Sequence, residues 1–198
     1  MNKALLVAMP LVMAALLVRP AFACACCTNV GDRLEWQASL DEYDLVILDE
    51  LEFADRAEVA VGEQDYEDVD GIDIGSLPLT LAVAKAERIW TFAFADGTGN
   101  SGKLQFQLPD TIERFEVDPR DPLREPPGIG PALYKEWRLT AAAVGSGLLT
   151  AGVGDEQTAT LIIHGWGNRC PSSADFNAWS LVLDGPKAQV TIFGDLVL

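Results

Sequence analysis

The sequence predicts an all-β fold, mainly antiparallel and arranged as a β-sandwich or closed barrel, with one short helix near the amino terminus. From Ala57 onward, short apolar or alternating runs are separated by Gly, Pro, Asn and Asp, which is typical of antiparallel strands joined by turns. No helical periodicity lies between these runs, which argues against a parallel sheet. Because no segment repeats at a fixed period, neither a propeller nor a solenoid is predicted.

The amino-terminal residues have the composition of a signal peptide. A short positive start precedes an apolar run over residues 4–18, and residues 21–23 (AFA) match a small-x-small cleavage site. We therefore expect a signal peptide over residues 1–23 and a single β-rich domain over residues 24–198. The apolar run is interrupted by Pro10, so we expect no membrane span after cleavage.

The chain is strongly acidic, with a formal net charge of −16. An acidic surface repels phosphate backbones and anionic lipid heads, so no nucleic-acid partner is expected. A metal ion or a small ligand is the partner we expect instead. The signal sequence and the four cysteines together predict a periplasmic or secreted protein that contains disulfides.

One amphipathic helix is predicted before the strands. Residues 39–42 (SLDE) match a capping box, in which a Ser hydroxyl and a Glu carboxylate each accept a hydrogen bond from a backbone N–H group. Apolar residues then recur at three- and four-residue steps up to about Phe53: Leu40, Tyr43, Ile47, Leu48 and Leu51. These residues are expected to form the buried face of the helix.

The strands are predicted from alternation and from the turns between them. Their ranges are 57–61, 79–84, 88–95, 103–108, 114–118, 135–144, 148–151, 157–166, 179–184 and 188–196. Residues 96–102 (DGTGNSG) and 184–187 (DGPK) predict hairpin turns, and residues 118–131 a long Pro-rich loop. Alternation also places Trp137 on the face opposite Glu136 and Arg138, so that strand is expected to be half-buried.

The cysteines are the most specific chemical feature of the chain. Cys24, Cys26 and Cys27 lie within four residues, directly after the predicted cleavage site, and Cys170 lies far away in sequence. In an exported protein, four cysteines normally form two disulfides, with three possible connectivities. Pairing Cys26 with Cys170 leaves Cys24 and Cys27 as a C-x-x-C pair, the least strained option. The other two options leave a C-x-C pair or a vicinal pair.

The same cysteines predict a metal site if they remain thiolates. Soft sulfur ligands select Cu(I), and tetrahedral sulfur sites bind Zn(II). In this interpretation Cys24, Cys26 and Cys27 supply sulfur, while Cys170 and His164 complete the site or hold the segment to the body. An exported, non-enzymatic metal-binding protein is therefore the first function that we predict.

A ligand- or carbohydrate-binding module of unknown ligand, stabilised by disulfides, is the alternative function. Trp137, Trp166 and Trp179 can stack on sugar rings if they are exposed on one sheet face. Tryptophans at strand positions are more often part of the core, and that is what we expect of these three. The structural interpretation of His164, the only histidine, is a residue at the end of a strand bonded to backbone.

Enzymatic motifs are weak in this sequence. Ser146 lies in VGSGL, which is not a nucleophile elbow, so a serine hydrolase using His164 is not favoured. The acidic residues 63–73 do not fit the EF-hand template and predict a solvated loop. The chain has no P-loop, dinucleotide fingerprint or HExxH motif.

Overall fold

The computed structural model describes residues 28–61, 78–121, 123 and 133–197. The strands within these ranges are β1 (Arg33–Ser39), β2 (Glu52–Phe53), β3 (Arg56–Val61), β4 (Leu79–Ala86), β5 (Ile89–Ala95), β6 (Ser101–Gln107), β7 (Thr111–Val117), β8 (Leu133–Gly147), β9 (Glu156–Gly167), β10 (Phe176–Asp184) and β11 (Gln189–Val197). The helices are α1 (Glu42–Glu50), α2 (Leu148–Gly152) and a 3-10 turn, Ser173–Asp175. The predicted signal peptide, the amino-terminal cysteines and the acidic residues 63–73 lie outside the described residues.

Eight strands form a closed antiparallel barrel, which confirms the all-β prediction and selects the barrel over the sandwich. The strand order is β8-β6-β5-β4-β3-β11-β10-β9, and β9 returns to pair with β8. Strands β4, β5 and β6 pair as sequential hairpins, as do β9, β10 and β11. Closure leaves no free edge within the barrel itself.

Strand β8 is long enough to pair with two different strands along one edge, while β9 pairs along its other edge. Its carboxyl-terminal part pairs with β6, from Phe106↔Ala143 to Gly102↔Gly147. Its amino-terminal part pairs with β7, from Glu113↔Arg138 to Val117↔Tyr134, and β7 in turn pairs with β1. The pair β7 and β1 therefore extends one side of the barrel beyond its wall.

Alternating side chains fill the barrel interior. Large buried aromatic residues supply much of this core: Trp90, Phe92, Phe94, Phe106 and Trp179. The Phe53 ring lies among them, with its centroid 5.5 Å from that of Phe92 and 5.4 Å from that of Trp179. Burying a side chain of this size stabilises the fold by roughly 1.5–3 kcal/mol relative to leaving it exposed. An eight-stranded barrel has an interior that such side chains can fill.

Helix α1 begins two residues later than its sequence signal predicts. Asp41 is the N-cap, and its carboxylate accepts a 2.9 Å hydrogen bond from the backbone N–H of Asp44, whose own carboxylate accepts one from Asp41 N–H. Ser39 cannot cap the helix because it is the last residue of β1, paired with Thr111. Tyr43, predicted on the buried face, is 59% exposed.

The carboxyl end of α1 is capped from another strand. The helix has no basic residue in its last turn. Lys85 of β4 donates instead to the carbonyls of Leu48, Asp49 and Leu51, with distances of 2.9 Å to the first two. Its ammonium also lies 4.8 Å from the centroid of the Trp90 ring. One lysine thus joins the helix end to the barrel wall.

Residues 148–151 form helix α2, so the strand predicted there is wrong. Gly147 has a φ of 63°, and a Cβ at this position would lie 2.1 Å from the carbonyl oxygen of Ser101. A left-handed residue of this kind ends an extended run. Leu148 and Leu149 are both buried, so the apolar pattern reflects helix burial and not strand pairing.

Candidate functional site

The outer surface of β7, β8 and β9 carries a row of partly exposed aromatic side chains. Alternation along β8 sends Tyr134 outward while its neighbours Leu133 and Lys135 are fully buried. On β9, His164 and Trp166 point outward and alternate with the buried residues Ile163, Gly165 and Gly167. Antiparallel pairing places Tyr134 directly opposite Trp166. Because successive side chains of a strand point to opposite faces, these rings all lie on one side of the sheet.

We call the cluster of Phe115, Tyr134, His164 and Trp166 the aromatic face. The Tyr134 ring is central, with its centroid 5.5 Å from that of Trp166, 6.1 Å from that of His164 and 6.3 Å from that of Phe115. Trp166 is 50% exposed, whereas the other three rings are partly covered. These separations are typical of interacting aromatic rings. One broad indole surface therefore remains open to solvent, supported at its edge by Tyr134.

Polar and charged side chains border the aromatic face. The Tyr134 hydroxyl donates a 2.7 Å hydrogen bond to Glu136, and Arg138 forms an ion pair with the same carboxylate. Arg138 also lies 3.6 Å from the carboxylate of Glu35. Burial, followed by the hydrogen bond and charge of Glu136, raises the pKa of Tyr134 to about 12. The hydroxyl consequently stays protonated over the physiological pH range.

The strands beneath the aromatic face are held rigidly. The β8–β9 pairing runs without a break from Leu133↔Gly167 to Val144↔Glu156. Trp137 is 1% exposed on the inner side, where its ring packs 5.0 Å from that of Phe176. The aromatic face is therefore carried by paired strands with a packed core behind them, which favours a preformed binding surface.

Buried ion pairs lie on the inner side of the same strands. The Lys135 ammonium donates a 2.6 Å hydrogen bond to the carboxylate of Asp175, and the Lys135 side chain is 0% exposed. Arg114 of β7 pairs with Asp44 of α1. Because each buried charge faces an opposite charge, these pairs fix α1 and the 3-10 turn against β7 and β8.

Glu116 lies among these charges. Its pKa is raised, mainly because burial disfavours the carboxylate. Lys135, Arg169 and Arg114 act in the opposite direction, and Asp175 adds to the increase. Glu116 is therefore protonated more readily than an exposed glutamate.

Two of the predicted metal ligands, Cys170 and His164, are within the described residues. Cys170 is exposed in the segment after β9, and its N–H donates a 2.8 Å hydrogen bond to Asn168. It is disulfide-bonded, so it offers no thiolate to a metal. His164 lies within β9, on the aromatic face. Over the described ranges, no group of three metal-ligating side chains occurs.

The remaining predicted ligands, Cys24, Cys26 and Cys27, lie outside the described residues. Their pairing with Cys170 and their binding of Cu(I) or Zn(II) therefore stay predictions. The segment around Cys170 is tied to the body by an ion pair between Arg169 and Asp32.

The three tryptophans considered for sugar stacking differ in burial. Trp137 and Trp179 are each 1% exposed, as expected for core residues, but Trp166 is 50% exposed, so the core prediction is wrong for this residue. The signal was present in the sequence, because alternation from Ile163 places Trp166 on the same side as His164. Tyr134 was missed because the strand was predicted to begin after it.

The hydrolase interpretation is not supported by the positions of its two residues. Ser146 pairs with Lys103 near one end of β8, whereas His164 pairs with Glu136 near the other end. Ten residues of β8 separate Ser146 from Glu136, which corresponds to roughly 33 Å along an extended strand. Their side chains therefore cannot form a catalytic pair.

Among the described helices, none has both the length and the apolar character needed to cross a bilayer. No family model, curated protein or solved structure matches this chain, so the geometry of the aromatic face is the basis for a functional assignment.

Proposed function

We propose that this protein is a non-enzymatic carbohydrate-binding module that uses its aromatic face to hold a polysaccharide. The observation that carries the proposal is the half-exposed indole of Trp166, which lies beside Tyr134 on a rigid strand pair. An open aromatic ring offers a flat apolar surface to the C–H groups of a sugar ring.

The polar border of the aromatic face supports the same ligand class. Sugar hydroxyls need donors and acceptors beside the stacking surface. Glu136 offers carboxylate acceptors and Arg138 offers guanidinium donors, and both side chains lie on the same side of β8 as Tyr134. A ligand that combines apolar faces with many hydroxyls therefore fits this surface better than a purely apolar ligand does.

A matched pair of tryptophan variants tests the proposal. Trp36 is 37% exposed on β1, where it pairs with Arg114 and so lies on the side opposite Phe115. We would compare wild type, Trp166→Ala and Trp36→Ala in pull-downs with cellulose, chitin and peptidoglycan, followed by calorimetry with soluble oligosaccharides. We expect Trp166→Ala to bind about tenfold more weakly, a loss of about 1.4 kcal/mol, and Trp36→Ala to bind like wild type.

Two outcomes contradict the proposal. One is that folded wild-type protein binds none of the polymers. The other is that Trp166→Ala, checked for folding by circular dichroism, binds as tightly as wild type.

A Cu(I) or Zn(II) site on two of the three cysteines Cys24, Cys26 and Cys27 is the alternative proposal. Cys170 is disulfide-bonded, and it can pair with only one other cysteine. Two of the three amino-terminal cysteines are then left to bind a metal ion, which supports this alternative. Thiol titration of the denatured exported protein and intact mass with and without Cu(I) test this alternative. Two reactive thiols with one retained metal ion support it, whereas an absence of free thiols favours a second disulfide.

Export to the periplasm or the medium is part of both proposals. The composition of residues 1–23 and the disulfide at Cys170 support it, since disulfides persist in oxidising compartments. Cell fractionation with amino-terminal sequencing tests both the location and the cleavage after residue 23.

A further inference from the structure

A second concave surface lies away from the aromatic face. It is a groove of about 580 Å³ between α1 and the β4–β5 turn. Its apolar lining includes Leu45, Leu48, Trp90 and Leu108. The volume is in the range of small-molecule sites, and the lining has the mainly apolar character of such sites.

An exposed apolar residue of α1 also lines this groove. Val46 is 55% exposed, although the helix buries Ile47 and Leu48 on its other side. Leu45, next to it, is only partly covered. Burial of Val46 against a ligand would remove apolar surface from water, which is favourable. Val46 thus adds to the groove an apolar surface that the core does not cover.

The rim of the groove is negatively charged. Asp49, Glu50 and Glu87 contribute carboxylates, and the single basic residue of the lining, Arg88, is held by a 3.1 Å ion pair to Asp110. Arg88 also donates to the backbone carbonyls of Leu108 and Pro109. Its charge is therefore largely satisfied, and the rim keeps a net negative charge.

The charge of Lys85 acts on Asp49 and weakens the negative charge of the rim without cancelling it, because four carboxylates, those of Asp49, Glu50, Glu87 and Asp110, face only two cations, Lys85 and Arg88. The Lys85 ammonium donates to the final carbonyls of α1, so it offsets the negative end of the helix dipole. Glu50 accepts a 2.7 Å hydrogen bond from the uncharged hydroxyl of Ser173. Glu87 is exposed at the β4–β5 turn. The apolar lining and the anionic rim of the groove together favour a ligand that has an apolar body and a positive group.

We infer that this groove binds an amphipathic organic amine, whose apolar body lies against Val46, Leu45 and Leu108 and whose ammonium faces Asp49 and Glu87. The site uses α1, the β4–β5 turn, β5 and Leu108, whereas the aromatic face uses β7, β8 and β9. The inference therefore does not depend on carbohydrate binding, and either can fail without the other.

Dansylcadaverine is a suitable probe, since it joins an apolar fluorescent ring system to a primary ammonium. Its N-acetyl derivative has nearly the same shape without the charge. We expect saturable binding of dansylcadaverine to the full chain, measured by dansyl fluorescence. The acetylated probe should bind about tenfold more weakly because it lacks the attraction of the rim carboxylates.

Charge-matched variants separate this site from general attraction by an acidic surface. Asp49→Asn with Glu87→Gln removes two rim carboxylates, and Asp184→Asn with Asp195→Asn removes two exposed carboxylates on β10 and β11. The rim variant should bind dansylcadaverine about tenfold more weakly, and the distant variant less than about twofold more weakly. Glu87→Gln alone should give part of this loss of affinity, so the role of the rim can still be measured if the double variant misfolds.

Matched valine variants test the apolar contact. Val46→Ser should weaken binding several-fold, whereas Val144→Ser, at a valine that is 64% exposed on β8, should not. The inference is overturned if dansylcadaverine does not saturate the protein. It is also overturned if the rim and distant variants weaken binding equally, or if Val46→Ser has no effect in a folded protein.

Discussion

Replacing Lys85 by Met is the sharpest test of how α1 is attached to the barrel. The variant keeps an unbranched apolar side chain and removes the ammonium that donates to the carbonyls of Leu48, Asp49 and Leu51. It also removes the cation that lies over the Trp90 ring. Barrel packing should otherwise be preserved, so the measured loss reports the attachment of the helix end.

The size of the effect follows from which carbonyls are buried. The hydrogen bond to Asp49 is exposed, so water can replace it, but those to Leu48 and Leu51 are partly buried. A hydrogen bond to a charged group contributes at least about 1.5 kcal/mol, so the two partly buried bonds give a loss of about 3 kcal/mol. For a chain of this length, that corresponds to a decrease in Tm of roughly 6–12 °C.

Thermal unfolding by calorimetry and urea unfolding by tryptophan fluorescence measure this loss. Lys103→Met is the matched control, because Lys103 is exposed on β6 and its side chain is in no described ion pair. The control should stay within about 0.5 kcal/mol of wild type. Equal stability of Lys85→Met and Lys103→Met would show that the lysine does not secure the helix end.

Two carboxylates should change stability with pH in opposite directions. The pKa of Glu116 is raised above its unfolded value, so in the window just above the unfolded pKa the folded state binds more protons and stability falls as pH rises. Glu116→Gln should therefore gain stability relative to wild type between pH 4 and pH 8 in denaturant titrations, and a constant difference contradicts this. The pKa of Asp118 is lowered, first by the side-chain hydrogen bond from Arg120 and then also by that from Thr28, which is 2.7 Å long. Asp118→Asn should destabilise the protein by roughly 2–3 kcal/mol at pH 7, and the difference should shrink as pH falls below the unfolded pKa of about 4. A loss that persists unchanged at pH 3 would mean that the charge of Asp118 is not what stabilises this contact.

Most strands were predictable because a half-buried strand has a local signature. The alternation around Trp137 placed Glu136 and Arg138 on its outer side, as the structure has them. One alternating segment was nevertheless overlooked: along β1, Leu34, Trp36 and Ala38 alternate with polar residues. Strand β1 was missed, and its residues are nearly all exposed because it is an edge strand that pairs only with β7.

The candidate site was only partly predictable. His164 and Trp166 could be placed on one side of a strand by counting residues along β9. Their contact with Tyr134 could not be predicted, because it depends on the register between β8 and β9. That register brings Tyr134 opposite Trp166. No local pattern in either strand encodes that register across a separation of about thirty residues.

The sequence by itself determined the all-β class, the positions of most strands and turns, and the acidic character of the chain, because each depends on local composition or on a period of two residues. The tertiary structure alone decided the closure of the barrel, the division of one edge of β8 between β6 and β7, the exposure of Trp166 and the capping of α1 by Lys85. These features depend on contacts between residues far apart in the chain. Such contacts are selected by the packing of the whole molecule and leave no signature in a short stretch of sequence.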